Sequence, residues 1–122
     1  MDAEIIAIGS ELLTPHRQDT NSLWLTEKLN SLGIPVVRKT IVGDSRARVR
    51  SAFEEALARC DLVVGIGGLG PTEDDVTRDA VAELLARRLE ANPEILALIE
   101  ARFRARGMRM PQVNARQALV PE

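Results

Sequence analysis

Apolar and polar positions along the chain follow two rhythms, and each change of rhythm marks an element. Glu4 to Ile8 (EIIAI) is apolar without alternation, as in a parallel strand buried on both faces. Val36 to Val42 (VVRKTIV) and the run Leu62-Val63-Val64 read as the second and third strands. Between them the spacing is helical. Leu25, Leu29 and Leu32 fall at i, i+4 and i+7 in a helix predicted over Asn21 to Leu32, with Asp19-Thr20-Asn21 as caps and Gly33 and Pro35 as stops. Val49, Ala52, Phe53, Ala56 and Leu57 predict a second helix after Gly43-Asp44-Ser45. Val76, Ala80, Val81, Leu84 and Leu85 predict a third. Asn92-Pro93 opens a fourth, which carries Ile95, Ile99 and Phe103 and ends at Gly107. The tail from Met108 has no strong period, with a helical turn expected over Asn114 to Gln117 and a strand beginning at Ala118-Leu119-Val120.

This order gives two βαβ units. Right-handed crossovers put all three strand tips on one edge, where ligands of open α/β sheets bind. Ser10-Glu11, Asp44 and the stretch from Gly67 to Asp75 are therefore expected to converge. The last of these stands out. Gly65, Gly67, Gly68 and Gly70 lie within six residues, followed by Pro71 and the acidic cluster Thr72-Glu73-Asp74-Asp75. A glycine loop between strand and helix can present bare amides to phosphate oxygens. Carboxylates behind it would repel a phosphate unless a divalent cation lies between them, so the pattern points to a phosphorylated ligand with Mg²⁺ or a similar metal.

The amides of Gly67, Gly68, Leu69 and Gly70, with Ser10 and Thr72, are the expected phosphate contacts. Asp44, Asp74 and Asp75 are the expected metal ligands and catalytic acids, one of them left to activate water, with Glu11 and Asn21 in reserve. Each has a plainer reading: the glycine loop as a reversal of the chain, Asp44 as a helix cap, Thr72-x-x-Asp75 as a capping box. The spacing Gly65-x-Gly67-x-x-Gly70 also fits the dinucleotide fingerprint, but the helix would start after its last glycine, and no acid-ended strand follows at about 20 residues.

Composition narrows the classes. At 122 residues the chain is one domain with room for a core built from Leu, Ile, Val and Ala, since Trp24, Phe53 and Phe103 are its whole aromatic content. A formal charge of −2 and so few aromatics give no case for nucleic acid. Arginines are read as a solvated helical face. No apolar run approaches the roughly 18 residues of a membrane span, and no basic signal start is present. Cys60 alone allows neither an internal disulfide nor a cysteine metal cage. A cytoplasmic protein is expected, with Cys60 a small buried hydrophobe and His16 an exposed loop residue.

Gly9-Ser10-Glu11-Leu12-Leu13, Thr20-Asn21, Gly33, Val42-Gly43-Asp44, Gly67-Gly68-Leu69-Gly70-Pro71-Thr72, Asp74-Asp75 and Thr77 resemble the N-terminal domain of the CinA (competence/damage-inducible protein) family. Asn114, Gln117-Ala118-Leu119 and Val120-Pro121 extend the likeness over essentially the whole chain. That domain is similar to the molybdopterin-binding MogA/MoaB fold. The resemblance implies a three-layer α/β/α sandwich with a mainly parallel sheet, often oligomeric, and metal-dependent ADP-ribose pyrophosphatase activity. Ile66 departs from the family's usual Thr, and Asp19 from its usual Asn. The chain ends at Pro121-Glu122, where the family continues into further strands and a ligand loop, so a truncated domain without the C-terminal deamidase domain is expected. Two rival readings stand beside the hydrolase: a module that holds a pterin or nucleotide without cleaving it, and a scaffold for oligomer contacts.

Overall fold

A strand that is buried along its whole length must be flanked on both sides and covered on both faces, and β1 (Ala3–Ile8) is such a strand. The computed structural model describes residues 1–122, with β1 at the centre of a parallel sheet between β2 (Val36–Val42) and β3 (Leu62–Ile66). Ile5 lies opposite Lys39 on one side and Val64 on the other. Because side chains alternate across a strand, β1 feeds two cores. Ala3 and Ile5 pack against Leu29 of α1 (Thr20–Ser31) on one face. Ile6 and Ile8 pack on the other against Val49, Phe53 and Ala56 of α2 (Arg46–Arg59) and Ala80 of α3 (Thr77–Leu85). The result is the expected three-layer α/β/α arrangement.

Glu4 also lies on the α2 side of β1, 1% exposed, and its two carboxylate oxygens accept from Arg59 Nε and Nη2, each at 2.8 Å. This fork satisfies a carboxylate that would otherwise be costly to bury. Gly65 of β3 lies under Phe53; a Cβ there would stand 2.4 Å from the ring.

The helices follow the predicted caps. Asp19 accepts from Ser22 N–H at the start of α1, Ser45 from Arg48 N–H at α2, and Asn92 from Glu94 and Ile95 N–H at α4 (Pro93–Ala105). The inward faces are narrower than the spacing predicts. Leu32 lies beyond the end of α1 and is exposed, as Leu57 and Leu85 partly are. Cys60 is half-buried, with its thiol donating to Asp2 O.

The C-terminal third differs more. The expected strand exists as β5 (Leu119–Pro121), but it pairs antiparallel with β4 (Leu89–Ala91), for which no apolar run gave a signal, in a separate two-stranded sheet. The turn before it is a 3₁₀ segment, Gln112–Ala118. No residue of α4 is fully buried. No helix is long and apolar enough to cross a membrane.

Candidate functional site

Parallel pairing in the order β2-β1-β3 carries the three strand tips to one edge of the sheet. There Ser10 and Asp44, 34 positions apart, form a reciprocal pair. Ser10 N–H donates to Asp44 Oδ2 at 3.1 Å, and Asp44 N–H donates to Ser10 Oγ at 2.9 Å. Asp44 is therefore not the cap of α2, a role taken by Ser45. Gly43 admits this approach, since a Cβ on it would lie 3.1 Å from Ser10 Oγ.

At the neighbouring tip the glycine loop leaves β3 with Gly67 at φ +90° and Gly68 at φ +65°. A Cβ on Gly67 would sit 2.2 Å from the Ile8 carbonyl oxygen, and one on Gly68 2.2 Å from Thr77 Oγ1. Both positions thus combine a left-handed conformation with close backbone approach, which only glycine meets without strain. The loop is tied down through its carbonyls. Thr77 donates its hydroxyl to Gly67 O at 2.8 Å and its N–H to Gly68 O at 3.2 Å. Arg78, 7% exposed, donates Nη1 to Leu69 O at 2.5 Å and Nη2 to Gly70 O at 2.6 Å. Burial and then the neighbouring Arg116 charge lower the Arg78 pKa from its ordinary value, against the pull of Asp75 and Asp79. Arg116 in turn donates to Thr72 O at 3.1 Å and pairs with Asp79 at 3.4 Å.

The amides behave oppositely. The N–H groups of Gly67, Gly68 and Leu69 donate to no acceptor of the protein. Carbonyls held from beneath and amides left unengaged are the polarity an anion cradle requires.

The acidic cluster is less concerted than its spacing suggests. α3 begins only at Thr77, and Val76 gives it no side-chain cap, so Thr72-x-x-Asp75 is not a capping box. Thr72 instead donates its N–H at 3.0 Å and its hydroxyl at 2.7 Å to Asp75 Oδ2, closing a turn ahead of the helix. Partial burial pushes the Asp75 carboxyl up, but the Thr72 hydroxyl and N–H, the Gly70 N–H and the Arg78 charge outweigh it and hold it below the ordinary carboxylate value. Asp74 is exposed, with no hydrogen bond or ion pair. No group of three or more Asp, Glu, His or Cys side chains stands ready to hold a metal ion, so Asp44, Asp74 and Asp75 do not form a protein cation cage.

Two clefts flank the loop. One, of about 310 Å³, opens between Ile8 at the end of β1 and Ile66-Gly67 at the end of β3, walled by Glu11, Arg17 and Thr20-Asn21. From β1 the chain departs toward β2, while β3 lies on the opposite side, so this cleft is the topological switch point where α/β ligands bind. Glu11 and Asn21 thus line the crevice, whereas Ser10, Asp44 and Thr72 do not. Arg17 and Arg78 are contributors that periodicity did not reveal. The second cleft begins at Leu69 and runs along α4.

Residues 4–121 match the model of the probable molybdopterin binding domain. The chain is 58% identical over 118 residues to a CinA-like protein of Koribacter versatilis, covering 97% of this chain and 28% of that protein. It thus spans little more than a quarter of the curated relatives it matches. Among solved structures it resembles CinA of Thermoplasma acidophilum, with a TM-score of 0.85 and 31% identity over 98% of this chain and 70% of that one. The molybdopterin biosynthesis enzyme MoaB of Thermus thermophilus, at 23% identity, TM-score 0.67 and 98% and 78% coverage, shares the fold. With its parallel sheet, its glycine loop and this agreement over nearly every residue, the chain belongs to the probable molybdopterin binding domain family, among its CinA-like members.

Proposed function

We propose that the chain binds a phosphorylated small molecule of pterin or nucleotide type, with phosphate oxygens accepting from the free N–H groups of Gly67, Gly68 and Leu69. The observation that carries this reading is the polarity of the loop: its carbonyls from Gly67 to Gly70 are bound by Thr77 and Arg78, and its leading amides have no partner. An amide cluster beside a switch-point cleft suits phosphate through directed hydrogen bonds without requiring a positive side chain. Membership of the probable molybdopterin binding domain family and the shared fold of MoaB, a molybdopterin biosynthesis enzyme, support a pterin-type ligand. Gly70 and Thr72 serve the turn with Asp75, and Ser10 steadies Asp44 at the adjacent tip.

Metal-dependent hydrolysis of an ADP-ribose-type diphosphate is the second reading. It is favoured by Asp74, an uncommitted carboxylate behind the loop, because Mg²⁺ is commonly held by one or two carboxylates together with substrate phosphates. As Asp44, Asp74 and Asp75 form no protein cage, no hydrolytic step is assigned to them.

Titration calorimetry with pyrophosphate and with ADP-ribose, each in EDTA and in Mg²⁺, tests both readings. Binding in EDTA that Gly68→Ala abolishes is expected. Failure of every phosphorylated probe to bind would refute the amide cradle. AMP release from ADP-ribose that needs Mg²⁺ and disappears in Asp74→Asn would establish the hydrolase instead.

A further inference from the structure

Every carbonyl from Gly67 to Thr72 faces a donor. Thr77 serves Gly67 and Gly68, and Arg78 serves Leu69 and Gly70. Arg116 Nη1 completes the run, 3.5 Å from Pro71 O and 3.1 Å from Thr72 O. A planar trans peptide points its C=O and the next residue's N–H in opposite directions. Holding the Gly67 and Gly68 carbonyls therefore aims the Gly68 and Leu69 amides the other way. Holding the Pro71 carbonyl likewise aims Thr72 N–H, which closes the turn onto Asp75 Oδ2 at 3.0 Å.

The donors have different origins. Thr77 and Arg78 belong to the first turn of α3, the helix that the loop enters, so their bonds form wherever that helix forms. Arg116 comes from the 3₁₀ segment Gln112–Ala118, far along the chain. It is positioned there by Asp79, whose Oδ2 lies 3.4 Å from Nη2. No other side chain of that segment hydrogen-bonds to the loop. The segment is itself lightly held. Ala118 is fully buried and its carbonyl accepts from Asn92 N–H at 2.8 Å, while β5 beyond it pairs with β4 alone. Glu122 N–H donates to Arg88 O at 2.8 Å at the far end of that pair.

We propose that Arg116 is a positioning residue that couples the phosphate cradle to the docking of the C-terminal segment. The inference rests on the phosphate reading above. Arg116 touches no cradle amide; it acts through the Pro71-Thr72 end of the loop, which anchors the stretch from Gly67 to Leu69 against movement. With the segment docked, the loop is fixed at both ends and the amides stand ready. With it undocked, only the α3 end is fixed. Coupling of this kind is reciprocal, so an anion in the cradle strengthens the docking by the same factor by which docking strengthens the anion's binding.

The test reads both directions on the 122-residue chain, with pyrophosphate as the probe. Titration calorimetry gives its affinity, and residue-resolved amide exchange follows Asn92 and Glu122, whose N–H bonds close the C-terminal segment against β4 and the turn before it. Saturating pyrophosphate is expected to slow exchange at both amides about fivefold in the parent, although neither belongs to the cradle. Arg116→Gln is expected to lower pyrophosphate affinity about fivefold and to abolish that slowing, and Arg116→Lys to recover part of both. A residue that merely braced the fold would change the unliganded exchange rates but not their response to pyrophosphate. Asp79→Asn, which releases Arg116 without removing it, is expected to weaken both effects and serves if Arg116→Gln fails to fold. Pyrophosphate binding that leaves Asn92 and Glu122 exchange unchanged, or parent-like affinity in a folded Arg116→Gln chain, overturns the coupling and leaves the cradle standing. If pyrophosphate does not bind the parent, the cradle falls and the coupling with it.

Discussion

Replacing Arg78 with Met tests whether the glycine loop is held in its ligand-ready form from beneath. The guanidinium is nearly buried and donates to Leu69 O and Gly70 O, two hydrogen bonds from a charged group. Such bonds contribute about 1.5–3 kcal/mol each, so their gross loss is roughly 3–6 kcal/mol. Two effects offset part of it. Methionine keeps much of the aliphatic volume. The charge also no longer has to be desolvated, a cost that burial of the guanidinium otherwise carries. The freed carbonyls lie in an exposed loop, with Leu69 47% exposed, and can regain water. A net destabilisation of about 1.5–3 kcal/mol is therefore expected. In urea unfolding this lowers the midpoint by roughly 1–2 M at an ordinary slope. Pyrophosphate affinity is expected to fall at least about tenfold, because the amides of Gly67 to Leu69 lose their fixed orientation. Arg78→Lys, which retains charge without the planar fork, should fall between the two. A midpoint within about 0.2 M of the parent together with unchanged pyrophosphate binding would refute the reasoning.

Two further outcomes follow from the same loop. Gly67→Ala places a Cβ 2.2 Å from a backbone oxygen at φ +90°, and with about 1–3 kcal/mol for the backbone conformation and a similar amount for the displaced strand end, a loss of roughly 2–5 kcal/mol by urea or thermal unfolding is expected; a stability within about 0.5 kcal/mol of the parent would show that the loop relaxes freely. Asp75 has a folded pKa below its ordinary value, so the unfolded chain binds the proton more readily. Its contribution is present above the ordinary carboxylate pKa and disappears as pH falls through the lower, folded value. Stability measured from neutral pH down to about pH 2 should therefore decline less steeply in Asp75→Asn than in the parent, and parallel curves would contradict the assigned Thr72 and Gly70 bonds.

The three-layer fold was legible because its signals are local and repeated: the apolar runs around Ile6 and Val64, the spacing of Val49, Phe53 and Ala56, and the caps at Asp19 and Asn92. The glycine loop was legible for the same reason, since positive φ at Gly67 and Gly68 selects glycine whatever surrounds it. Arg78 was not, because its partners are backbone carbonyls, which every residue carries, and no spacing marks them. Nor did the sequence reveal that Thr72 would engage Asp75 in a turn four residues ahead of the Val76 position flanking α3, since the same residues at the same spacing make a capping box when a helix follows at once. β4 escaped notice because Leu-Glu-Ala has no strand pattern of its own and forms only against β5.

The fork between Glu4 and Arg59 has a consequence at the opposite end of the sheet. If β1 slid by one residue against its neighbours, every side chain on it would change faces, and Glu4 would turn from Arg59 into the apolar layer around Leu29. A lone carboxylate has no partner there, so misaligned sheets are strongly disfavoured. The pairing of Glu4 with Arg59 and Arg38 at the strand's beginning thereby favours the register in which Ile8 meets Gly67 at its far end.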